Sequence, residues 1–300
     1  MAAGSSLRIV VAGASGFIGS ELVSQLLADG HTVTTLVRHT AGPGEYRWDP
    51  ASGRLDPTVL EGVDAVISLG GASISKIPWT SAYEKELLSS RVDVTKTLVD
   101  AMNALETPPA TFLSGSAVGY YGDRPGEDLT EESPKGTGVL ADIVERWEAE
   151  ALAAPRATRV VLLRTGLVVG EGGAFGPLGL LTKFGLASRI GSGNQYWPWI
   201  ALYDEAAAIR HLLTADVSGA VNLEGPTPAT SVEITKSLAK AMGRWHILTL
   251  PSALISLGMG AAGRELLLPD TRIVPSRLLA SGFTHRYATA DAAITATWAK

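Results

Sequence analysis

The chain has 300 residues, 46% of them hydrophobic, with a net charge of −5 and no cysteine. That length holds one large or two modest domains around a sizeable core. The mild, interspersed acidity excludes the basic face of a nucleic-acid binder, and the missing thiols exclude a disulfide framework, a cysteine nucleophile and thiolate metal sites.

The first six residues, MAAGSS, have neither a charged start nor an apolar run, so no signal peptide is expected. Ile9 to Val11 then reads as a short strand buried on both faces, ending at Gly13. Gly13, Gly16 and Gly19 stand three apart at the opening of a helix, Phe17 to Ala28, closed by Gly30. In that order the first glycine permits a tight turn, the second lets backbone N–H groups approach a pyrophosphate, and the third lets helix and strand pack. The pyrophosphate would lie on the helix N-terminus, with the Ser15 hydroxyl as a further donor. Glycine spacing alone is a weak signal; its place between an apolar strand and a helix, with a second strand from Thr32 to Val37, makes it a dinucleotide fingerprint.

Arg38 follows that second strand, where the adenosine ribose of a dinucleotide would lie. A carboxylate there suits a ribose 2′-OH, whereas a guanidinium suits a 2′-phosphate, so the expected cofactor is NADP(H). His39 beside it is a bystander more readily than a ligand. The Gly- and Pro-rich stretch Thr40 to Gly53 contains a short strand within a loop. Asp64 to Leu69 is the next buried strand, and Leu69, Gly70 and Gly71 at its carboxyl end allow close approach of a ligand, or form a plain turn. A helix from Trp79 to Asn103 carries Arg91, which either reaches a phosphate or ribose or is solvated.

Ala110 to Leu113 predicts a further strand, leading into SGSAVGYYG, Ser114 to Gly122, where small and hydroxylated residues make a good place for chemistry. A helix from Val139 to Leu152 and a strand from Thr158 to Leu163 follow. Glycines then cluster from Gly170 to Gly179 and at Gly191 and Gly193, with Tyr196, Trp197 and Trp199 close behind; these line a cleft or pack a small lobe. Helices from Asp204 to Ala215 and Ser231 to Met242, and a strand from Ala220 to Leu223, complete the pattern. The most apolar late stretch, Leu250 to Gly263, is broken by Pro251, Gly258 and Gly260 and is too short for a bilayer. The expectation is a cytoplasmic protein without a membrane partner.

GASGFIG, the early Arg38, LGG at Leu69 to Gly71, SGSAVGYYG, RTGLVVG at Arg164 to Gly170 and GSGNQYWPWI at Gly191 to Ile200 together resemble the extended or atypical branch of the short-chain dehydrogenase/reductase superfamily. More narrowly the chain is similar to NAD-dependent epimerase/dehydratase-like proteins that end in a short C-terminal module, here Ile273 to Phe283. The resemblance implies an α/β fold: a Rossmann-type doubly wound parallel sheet in residues 7–170, joined by later segments, and a smaller C-terminal substrate lobe in residues 171–298. It implies dinucleotide contacts from Gly13, Ser15, Gly16, Phe17, Ile18, Gly19, Arg38, Leu69, Gly70 and Arg91, with Val168 at the nicotinamide end.

The same alignment places Leu140 and Val144 where the superfamily has its proton-shuttling Tyr and, four residues on, Lys. Neither aliphatic side chain moves a proton. Ser116 stands at the position of the catalytic Ser, with Tyr120 and Tyr121 as candidate acids and Lys135 as a distant cation to lower their pKa. The imidazole expected after the aromatic stretch is also missing, since Trp199-Ile200 is followed by Ala201. Two functions are therefore open: an oxidoreductase or epimerase-like enzyme acting on a small carbonyl, alcohol or sugar-nucleotide substrate, with Ser116 or a nearby Tyr polarising its oxygen, or a binding protein that senses NADPH without turnover.

Overall fold

The computed structural model describes residues 6–299. Seven parallel strands form the central sheet: β1 (Arg8–Ala12), β2 (Thr32–Val37), β3 (Glu45–Arg47), β4 (Ala65–Ser68), β5 (Thr111–Ala117), then Arg159–Thr165 and Gly219–Leu223. Their spatial order is β3-β2-β1-β4-β5, continued by Arg159–Thr165 and Gly219–Leu223. The order reverses between β1 and β4, and in such a sheet a crevice opens beyond the strand ends at that point.

The inner strands β1 and β4 bury both faces, which is why their sequences are apolar runs, whereas the outer β2 and β3 are only partly buried and carry Thr, Glu, Tyr and Arg. Ile9, Val11, Ile67, Leu113, Leu163 and Val221 face α1 (Phe17–Ala28) and the helix Leu202–Leu212. Val10, Ala12, Val66, Phe112 and Leu162 face the opposite layer, made by α2 (Ser81–Asn103) and α3 (Val139–Leu152). Helix α2 begins two residues later than the pattern suggests, because the Thr80 side chain accepts from the Tyr83 N–H and fixes the start there. Strand β5 runs four residues past Leu113, held by register with Arg159–Thr165 as far as Ala117. The strand expected within the Thr40 to Gly53 loop is the sheet edge β3.

The C-terminal lobe has its own core, with Phe175, Trp197, Trp199, Ile234, Leu238 and Ile294. It is not a detached unit. The short helix Ser276–Ala280 returns to the strand Gly219–Leu223, and its Leu278 joins the main core. Among the described residues no helix is long and apolar enough to cross a membrane.

One packing decision is costly. Glu205, on the helix Leu202–Leu212, and Glu224, just past the strand Gly219–Leu223, are both wholly buried. Thr165 Oγ1 donates to Glu205 Oε1 at 2.7 Å, while Glu205 Oε2 and Glu224 Oε1 have no partner. Burial, only partly offset by Thr165, pushes the Glu205 carboxyl up to about 8. Burial, and then the neighbouring Glu205 charge, hold Glu224 well above the usual carboxylate range.

The folded chain therefore binds more protons here than the unfolded chain, and this contribution to stability falls as pH rises from the ordinary carboxylate range through about 8. In urea melts at pH 5, 7 and 9, the Glu205→Gln/Glu224→Gln double variant should lose less stability than the parent over that rise, by at least about 1 kcal/mol at pH 9.

Candidate functional site

The turn after β1 is built by backbone touching backbone. Gly13 has φ +86°, and a Cβ on it would stand 2.8 Å from the Leu69 carbonyl carbon and 2.9 Å from the Gly70 nitrogen. A Cβ on Gly19 would stand 2.2 Å from the Gly13 oxygen, and on Gly16 3.2 Å from the same atom. The three glycines thus draw the β1 turn, the β4 turn and the start of α1 together. Gly16 caps α1 without a side-chain hydrogen bond, and the first turn has no acidic residue. Its leading N–H groups have no partner within the helix and carry the positive end of the helix dipole.

Gly13, Gly16, Phe17, Ile18, Gly19, Leu69 and Gly70 line one side of a cavity of about 460 Å³, and Val168 and Ser116 line it further along. Ser15, in the turn before α1, is exposed and does not line the cavity. Arg38 stands exposed directly after β2, outside the cavity but beyond the same sheet edge. His39 is drawn to Glu45, 3.4 Å away. The glycine cluster after the later strands has a steric reason: a Cβ on Gly170 or Gly172 would fall 2.5 or 2.6 Å from the Phe17 ring. Phe17 thereby joins the first turn of α1 to the C-terminal lobe.

Arg91 lies on the cavity wall, against the β4 turn. Its guanidinium donates to the Leu87 and Ala72 carbonyls at 2.9 and 3.2 Å and sits 5.4 Å from the Trp147 ring. Burial pulls its pKa down to about 10, so it stays charged at neutral pH. Trp147 packs on Gly115, where a Cβ would meet its ring at 2.8 Å, and donates to Thr95 at 2.9 Å. Leu140, Ile143 and Val144 continue this wall from α3.

Ser116 is 4% exposed and at the end of β5. Its hydroxyl donates to Glu148 Oε1 at 2.5 Å, and Glu148 is held in a two-point fork by Arg164, at 2.8 and 2.9 Å. Burial works against the Arg164 charge, but the fork outweighs it and raises the guanidinium above its ordinary pKa. Ser116 has one proton, and it is committed to Glu148. Towards the cavity it offers lone pairs, which suits a ligand hydroxyl better than the carbonyl oxygen it was expected to polarise.

Neither tyrosine candidate lines the cavity. Tyr121 is fully buried, donates to Asn222 Oδ1 at 2.7 Å and accepts from Arg164 at 3.0 Å; burial pushes its pKa up to about 12 despite Arg164. A phenol so placed is no acid for a ligand. The Tyr120 ring lies 3.5 Å from the Arg164 guanidinium and acts as its platform. Lys135 is bound to Asp142 and Glu145, each at 2.7 Å, away from the cavity. Of the three late aromatics, Trp197 lines the cavity, Trp199 is core, and Tyr196 stacks near Arg272.

Glu148 and the C-terminal wall are what sequence reasoning passed over. Glu148 is four residues after Val144 on the buried face of α3, and a charge on an apolar stripe is the signal that marks it. Arg264, Glu265 and Leu266 close the cavity from the far end of the chain. The Glu265 carboxylate accepts from the Val139 and Leu140 N–H groups at 3.2 and 3.3 Å and so caps α3. No local sequence rule reveals a cap supplied from more than a hundred residues away.

The model of the NAD dependent epimerase/dehydratase family matches residues 9–223, and a domain of unknown function (DUF1731) matches residues 250–297, a longer module than Ile273 to Phe283. Epimerase family protein Mb2239 of Mycobacterium bovis is 38% identical over 95% of this chain and 96% of its own. Epimerase family protein SDR39U1 of Homo sapiens is 35% identical over 96% of this chain and 98% of its own. A crystal structure of human SDR39U1 with NADPH superposes with a TM-score of 0.89 at 34% identity, covering 97% of this chain and 99% of that one. With its glycine turn, sheet order and C-terminal module all matched, the chain belongs to the NAD dependent epimerase/dehydratase family.

Proposed function

We propose that the chain binds NADP(H) across the β1 turn and uses it to oxidise a small alcohol or reduce the matching carbonyl, in the cytoplasm of its cell. One observation carries this reading: the uncapped start of α1 opens on the same cavity as the Ser116–Glu148 pair. The human relative bound to NADPH supports the cofactor, and Arg38 supports its phosphorylated form.

Gly13, Gly16 and Gly19 bring the N–H groups of α1 to the pyrophosphate, and Arg38 takes the 2′-phosphate. Leu69, Gly70 and Arg91 border the ribose on the other side of the turn, and Val168 stands at the nicotinamide end. When bound, the nicotinamide accepts or returns the hydride. Ser116 orients the substrate hydroxyl, accepting its hydrogen bond. As the C–H bond breaks, the hydroxyl proton passes to Ser116 Oγ and the Ser116 proton to Glu148; reduction runs the same transfers in reverse. The aliphatic Leu140 and Val144 on the wall favour a second reading, an NADPH-binding sensor without turnover.

Calorimetric titration should give NADPH at least tenfold tighter binding than NADH, and Arg38→Ala should erase the gap, worth about 1.4 kcal/mol. Equal binding of both forms by the parent protein would refute the assignment of Arg38. Across a panel of ketones, aldehydes and sugar nucleotides, NADPH oxidation should fall about a hundredfold in Ser116→Ala and Glu148→Gln with little change in NADPH affinity. Tight NADPH binding with no oxidation on any member would favour the sensor.

A further inference from the structure

The cavity carries four charged residues on its lining, Arg91, Asp123, Arg264 and Glu265. Three are engaged. Arg91 is spent on two backbone carbonyls, Asp123 accepts from the Asp270 N–H at 2.8 Å, and Glu265 caps α3. Arg264 is exposed at the mouth, and among the described residues its side chain has neither a hydrogen bond nor an ion pair. Its neighbour in the chain, Glu265, sits against Gly138 and the start of α3, which puts this stretch on the α3 wall. Below it the wall is apolar: Leu266, Leu140, Ile143, Val144 and Trp197.

Volume narrows the ligand further. About 460 Å³ lies towards the lower end of the range of roughly 300–1,000 Å³ that a single drug-sized ligand occupies, and here the cofactor takes a large share. The rest of the lining beside Arg264 is the apolar wall of Leu140, Ile143, Val144 and Leu266. Charge narrows it again: one free guanidinium matches one negative charge, and with the Asp123 and Glu265 carboxylates on the same lining a monoanion is better matched than a dianionic phosphate.

We propose that Arg264 recognises a carboxylate on the substrate, so that the substrate is a small oxo or hydroxy acid with an apolar body. The carboxylate takes the guanidinium fork at the mouth, the apolar body lies on the α3 wall, and the reacting carbon reaches Ser116. This rests on the NADP(H) reading, because the cofactor is what fills the rest of the cavity.

The test is calorimetry with 4-phenyl-2-oxobutanoate, its uncharged counterpart 4-phenyl-2-butanone, and UDP-glucose, each with and without saturating NADP+. The acid should bind at least tenfold tighter than the ketone. Arg264→Met should erase that ratio, Arg264→Lys should keep part of it, and NADPH affinity should not change in either. Equal binding of acid and ketone, a ratio untouched by Arg264→Met, or UDP-glucose as the tightest of the three would overturn the proposal. Failure of NADP+ to bind, with the acid-over-ketone ratio intact in its absence, would sink the cofactor reading and leave Arg264 standing.

Discussion

The contact on which the structure turns is backbone against backbone: Gly13 on Leu69 and Gly70, and Gly19 on Gly13. At Gly13 and Gly19 there is no space for a single carbon between the turns of β1 and β4 and the start of α1, and at Gly16 a carbon would fit only tightly. Everything near the cavity inherits its place from this contact. It fixes the angle at which α1 leaves the sheet, and so where the uncapped N–H groups point. It also carries Phe17 onto the glycines of the C-terminal lobe, which orders the two parts of the chain against each other.

Charge is handled differently on the two sides of the sheet. On the α3 side, Glu148 and Arg164 meet in a fork, with Tyr120 as a platform and Tyr121 as a further ligand, so the buried ions are paired and hydrogen-bonded. On the other side, Glu205 and Glu224 have one hydroxyl between them and no cation. Burying an unpaired carboxylate is far more costly than protonating it, so this pair is kept by sharing protons. The two arrangements lie under adjacent residues, Arg164 and Thr165, whose side chains point to opposite faces of one strand.

The sequence was legible where local rules decide. The glycine turn, α1, β2 and α3 were readable to the residue, because alternation, helical period and glycine geometry are short-range. The aliphatic Leu140 and Val144 were readable too, and the structure sets both on the cavity wall. Ser116 was readable as a hydroxyl at a strand end, and it lines the cavity, but the direction of its hydrogen bond was not, since that depends on Glu148, thirty-two positions away. Tyr120 and Tyr121 misled for the same reason. Their residue type suits acid chemistry, while their surroundings, Arg164 and Asn222, come from distant strands and bury the phenol of Tyr121. Arg264 and Glu265 gave no signal at all, because their meaning arises only when the end of the chain folds back over α3.

That return of the chain leaves a polar latch. Glu265 holds the first N–H groups of α3, so the C-terminal module cannot swing off the cavity without letting them go. Water can satisfy both the carboxylate and the freed N–H groups, so the net cost of release is small, about 1–3 kcal/mol for a charge-assisted contact. The larger hold is apolar, since lifting the module would also strip Leu278 from the main core and Ala262 and Leu266 from the wall they share with Ile143; the carboxylate sets the register of that seal and does not supply its strength.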